Sequence, residues 1–116
     1  MRTIEDAVRS RFGKSSRTGR ELRSVDTVGI GFSARSSSDT VYRVAAGDST
    51  ALKVLRSPGE ESAVQDTLEI ECDAVVTVTL ADGTQTLMAL RESYGHGYSV
   101  ELSTTRITPI PTATAA

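Results

Sequence analysis

The run Leu68-Glu-Ile-Glu-Cys72-Asp-Ala74-Val-Val-Thr-Val-Thr-Leu80 decides the fold class. Leu68, Ile70, Cys72, Ala74, Val76, Val78 and Leu80 alternate without a break against Glu69, Glu71, Asp73, Val75, Thr77 and Thr79. A period of two is that of a strand with one buried face. At about 3.3 Å per residue it extends for about 43 Å, a length that predicts a bend or bulge near Ala74.

Working outward, Asp82-Gly83 is a strong hairpin turn, from which Thr84 to Glu92 pairs back. Tyr94-Gly-His-Gly-Tyr98 is a second turn, followed by a last strand over Ser99 to Ile107. Upstream, Val28, Ile30, Phe32 and Ala34 alternate against Thr27, Gly29, Gly31, Ser33 and Arg35, again as a strand. The two glycines leave its second face bare. Ser36 to Asp39 turns this strand into Thr40 to Ala46, and Gly47-Asp48 turns that into Thr50 to Leu55. Ser57 to Ser62 is a loop, and Ala63 to Asp66 a brief helical turn.

At the N-terminus the period is helical. Thr3 followed by Asp6 forms a capping box, and Ile4, Ala7, Val8, Arg11 and Phe12 share one stripe of a helix over Ile4 to Phe12. Gly13 ends it, and the polar, basic Gly13 to Arg20 is a connector. The expected fold is mainly β with a short N-terminal helix, an antiparallel meander of about six strands. Residues 1–24 form a basic helix and connector arm, 25–107 the β domain and 108–116 an extended tail.

The chain has 116 residues, 38% hydrophobic and 4% aromatic, with net charge −2. This fits one small domain and excludes large enzyme architectures. No apolar run approaches the roughly 20 residues of a spanning helix, so a soluble, untargeted protein is expected. The charge is segregated: residues 1–24 carry +4 and the remainder −6. A basic arm on an acidic body reads as either a nucleic-acid or acidic-partner contact or a solvated terminus.

Little in the chain speaks for catalysis or for a cofactor. Gly13-Lys-Ser-Ser16 lacks the preceding glycine and strand of a phosphate-binding loop. Gly29-Ile-Gly31 and Ala51-Leu-Lys53-Val lack the remaining signatures of a kinase, and His96 has no orienting carboxylate or nucleophile that spacing nominates. Cys72 lies on the apolar side of its strand as a small core hydrophobe. Glu69, Glu71 and Asp73 form an acidic row that is either solvated or matched by cations. No enzyme, metal or cofactor is expected.

The hairpin Val28 to Val44 resembles the central hairpin of single-stranded RNA bacteriophage coat proteins. In those, a strand ending in serine, apolar, arginine is joined by a polar loop to a strand of tyrosine, basic, valine type. Here these are Ser33-Ala-Arg35, Ser36-Ser-Ser-Asp39 and Tyr42-Arg-Val44. The resemblance implies a shell built from interlocked dimers whose sheet lines the capsid interior and touches genomic RNA. Carried over, it makes Ser33, Arg35 and Arg43 phosphate contacts, on a face shared with Gly31, and Tyr42 the aromatic for base stacking. The acidic row then has to face away from the RNA.

The expected function is a self-assembling structural subunit of a viral shell. It forms homodimers and higher assemblies, with RNA as a further partner and no membrane. It is located in the virion after assembly in the host cytoplasm. The alternative is a small β-rich binding module for a protein or small ligand. A core of valine, leucine, isoleucine and alanine suits a thin sheet that needs a second layer, expected from another copy of the chain.

Overall fold

The computed structural model of the chain describes residues 3–12, 22–37, 39–57, 68–104 and 106–110. Helix α1 spans Ile4–Phe12. The strands are β1 Leu22–Val28, β2 Ser33–Ser36, β3 Val41–Ala46, β4 Leu52–Ser57, β5 Leu68–Cys72, β6 Ala74–Leu80, β7 Gln85–Ser93, β8 Gly97–Ser103 and β9 Ile107–Pro109. They form two antiparallel sheets, in the order β1-β6-β7-β8 and β5-β4-β3-β2-β9. The protein is therefore mainly β with one short N-terminal helix.

The expected single meander is a two-sheet sandwich, because three of its strands each divide where they pass from one sheet to the other. Strands that switch sheets through a bend are the usual corners of packed sheets. The chain leaves β1 for β2 through Gly29 to Phe32. There Gly31 adopts φ +99°, its N–H donates to the Val44 carbonyl at 3.0 Å, and Val44 N–H donates to the Phe32 carbonyl at 2.9 Å. Ile30, expected to point inward, is 66% exposed because the corner interrupts the alternation.

The second corner is Asp73, one residue before the expected bend. Its N–H donates to the Leu90 carbonyl at 2.8 Å, and its carboxylate accepts the Glu92 N–H at 2.7 Å. The third is Thr104, whose N–H donates to the Leu87 carbonyl at 3.0 Å while its Oγ1 accepts the Leu87 N–H at 2.7 Å. Each corner thus ties its own backbone into a neighbouring strand, leaving few buried polar groups unmet.

Two apolar layers result. Between the sheets lie Ala34, Tyr42, Val44, Val54 and Cys72 from one side, and Val75, Leu87 and Ala89 from the other, with Ile107. On the far side of the four-stranded sheet, Val76, Val78, Leu80, Met88 and Leu90 meet Ala7 and Val8 of α1. The second layer expected from another copy is thus supplied within the chain.

Thr3 caps α1 as the sequence predicts. Asp6 N–H donates to Thr3 Oγ1 at 3.1 Å, and Thr3 N–H donates to the Asp6 carboxylate at 3.3 Å. A nine-residue helix is marginal in water by itself, so its stability comes from burying Ala7 and Val8. No helix among the described residues is long and apolar enough to cross a membrane. The connector 13–20, its Gly13 to Ser16 motif, the turn expected at 63–66 and the tail from 111 lie outside the described residues.

Candidate functional site

The hairpin singled out in the sequence forms as β2 and β3, with Ser33 opposite Arg43, Ala34 opposite Tyr42 and Arg35 opposite Val41. Its turn is closed by Ser36 N–H donating to the Thr40 carbonyl at 2.8 Å, and Asp39 takes φ 68° there. Strand alternation then separates the four candidate RNA residues. Ser33, Arg35 and Arg43 point away from the sandwich, together with Val41, Ala45, Lys53, Leu55, Glu69 and Glu71 of the same sheet. Gly31 lies in the corner before β2 and is exposed.

Tyr42 points the other way. It is 8% exposed and packs with Val44, Val54 and Cys72, so the ring expected to stack on bases is a core residue. The reason is parity: once Ala34 and Val44 face the second sheet, the residue paired with Ala34 must do so too.

The acidic row does not face away from these cations either. Ser33, Arg43, Leu55 and Glu69 lie in one register row across four strands. Lys53 bridges Asp48 at 3.4 Å and Glu69 at 3.6 Å, and Arg35 meets Asp39 at 3.5 Å. Desolvation opposes the charge of Lys53, but the Asp48 and Glu69 carboxylates outweigh it and hold its pKa above the ordinary lysine value. Arg43 is exposed, and among the described residues no carboxylate lies within ion-pair distance of it. The face is split, basic on β2 and β3 and acidic on β5.

Glu71 does structural work that its place in an alternating row did not announce. Its carboxylate accepts the backbone N–H groups of Ser49 at 3.0 Å and Asp48 at 2.8 Å and the Thr50 hydroxyl at 2.8 Å. The Ser49, Thr50 and Asp48 hydrogen bonds depress its pKa below the usual carboxylate value, against a smaller opposing effect of desolvation. The turn comes so close that a side chain at Gly47 would meet the Thr50 and Leu52 carbonyls and the Glu71 carboxylate. With Asp73 taken by its corner, the expected row reduces to Glu69 and Glu71, and no metal-binding group of three His, Cys, Asp or Glu occurs among the described residues.

An open groove beside that turn gathers Ser49, Thr50, Asp73, Arg91, Glu92, Tyr94 and His96. Sequence spacing had no means of bringing Ser49 and Asp73 to His96, which sits exposed at the tip of the β7–β8 hairpin. No side-chain hydrogen bond links His96 to the groove among the described residues. Cys72 is fully buried, and burial, then the nearby Asp73 and Glu71 charges, push its thiol up to about 11. It is not a nucleophile at neutral pH.

Among the described residues, the four-stranded sheet ends in β1 on one side and β8 on the other, each paired to one neighbour only. No protein-family model, curated protein or solved structure matches the chain.

Proposed function

We propose that the protein is a non-enzymatic structural subunit that assembles with copies of itself, in the manner of a viral shell protein. The observation that supports this reading is the pair of edges, β1 and β8, left open among the described residues on a single four-stranded sheet. In an all-antiparallel sheet of four strands the two edges run in opposite directions. Joining β8 of one copy to β1 of the next therefore continues the antiparallel ladder without limit. A two-fold joining of like edges instead closes a dimer. An open strand edge is a row of unpaired N–H and C=O groups and a template for another chain.

Light scattering after size exclusion, with electron microscopy, tests this over a range of concentration. Asp26→Pro and Thr27→Pro sharpen the test, because successive residues of an edge strand aim their N–H groups in opposite directions. One variant disrupts the β6 ladder; the other spares it and removes an outward donor. The expected result is that the second stays folded and loses assembly. A wild-type chain that remains a monomer at high concentration overturns the proposal and leaves the edges as docking strands for another protein's peptide.

A further inference from the structure

The outer face of the five-stranded sheet carries an arrangement that neither the fold nor the edges require. Val41, Ala45 and Leu55 are half-buried there and belong to neither apolar cluster. Basic groups flank this strip on one side and acidic groups on the other. A face so divided is complementary to itself after a half-turn.

We infer that this face is an interface with a second copy of the chain, in which Glu69 of one copy is received between Arg35 and Arg43 of its partner, above Ser33. The inference rests on the reading of the protein as a self-assembling subunit and adds a second contact to the open edges. The geometry follows from register alone. A two-fold axis lying in the plane of the face, along the strands and between β3 and β4, places β5 over the partner's β2 and β4 over its β3. Because the rotation preserves position along the strands, the row Ser33, Arg43, Leu55, Glu69 meets itself reversed.

Glu69 then stands over Ser33. Arg35 lies two residues along the same strand, about 7 Å away, and Arg43 one strand over, about 5 Å away. Guanidinium groups on long stems close such distances and accept a carboxylate through paired hydrogen bonds. Leu55 lies over the stem of the partner's Arg43, Lys53 over Ala45 and Ser57 over Val41, so most of the apolar strip is covered by the methylene groups of Arg43 and Lys53. Arg43 gains a carboxylate that it lacks within the described chain.

Charge complementarity is also why a second copy fits better than nucleic acid. A phosphate backbone crossing the face meets Glu69 and Glu71 as soon as it leaves Arg43, and like charges at that range repel. The face measures about 24 Å by about 20 Å, which is small for a stable interface, so the contact belongs to the weak class that acts in concert with others.

The test is a charge-swap cycle on the full chain, read by light scattering after size exclusion at low and high salt, with folding checked by circular dichroism. R43E and E69R each place like charges opposite one another and should weaken self-association by about tenfold or more. Mixing the two variants restores opposite charges at both symmetry-related contacts and should recover wild-type association. If both variants associate as the wild type does while the edge-strand proline variants abolish assembly, this interface is wrong and the assembly reading stands. A monomeric wild type overturns both. If R43E leaves association unchanged and removes co-purifying nucleic acid, the occupant of the face is RNA and the inference fails.

Discussion

Val75 and Val76 are neighbours on β6, both 1% exposed or less, yet they belong to different cores. Val75 faces the second sheet and Val76 faces α1, so the four-stranded sheet is buried on both sides.

Leu87 and Leu90 test this arrangement. Both are fully buried, Leu87 between the sheets and Leu90 under the helix. Each truncation to alanine is expected to cost about 2–5 kcal/mol by urea denaturation. A single-core sheet predicts that Leu90→Ala costs much less than Leu87→Ala.

Thr86 stands opposite Val78, is 3% exposed, and its hydroxyl has no hydrogen-bond partner among the described residues. A buried hydroxyl without a partner carries its desolvation cost uncompensated. Thr86→Val keeps the shape and removes that cost, so it should raise stability by about 1 kcal/mol. An unchanged or lowered unfolding midpoint contradicts this.

The turn held by Glu71 predicts both a packing and a pH effect. Gly47→Ala drives a methyl into backbone carbonyls and should lose about 1–3 kcal/mol. Because the folded pKa of Glu71 lies below its ordinary value of 4.5, the stability it adds is complete above that value and is lost as pH falls through the folded pKa. The melting temperature of Glu71→Gln should therefore lie below wild type at pH 7, and the gap should narrow as the pH falls below the ordinary carboxylate range.

Cys72 should resist a disulfide-exchange reagent in the native state at pH 8 and react fully in denaturant, since its thiol is both buried and pushed up to about 11. Rapid native labelling would show that the β5 edge opens.

Period and capping made the elements legible. Thr3 and Asp6 announced α1, and the hairpins at Asp82-Gly83 and Gly47-Asp48 lie where turn chemistry put them. The corners were only partly legible. The length of the 68–80 run pointed to a break near Ala74, but Val28 to Ala34 keeps its alternation through Gly29 and Gly31 although the chain changes sheets there. A run that alternates perfectly carries no mark of which sheet receives each half. Tyr42 was misplaced for a related reason. Both parities of β3 carry apolar residues, Val41 and Ala45 on one and Val44 and Ala46 on the other, and pairing of Tyr42 with Ala34 places its ring on the buried one. The partners of Glu71 lie more than twenty residues upstream, beyond any local signal.

The strand crossovers also order events during synthesis. Thr27 pairs with Val76, and α1 settles on Val76, Met88 and Leu90. The helix thus leaves the ribosome before the strands it packs on and waits for a landing surface that is translated more than sixty residues later. Until then its nine residues have little reason to stay helical. Nascent chains that stop before β7 hold half a sandwich with its apolar side uncovered, which is the species a chaperone or a second nascent copy meets first.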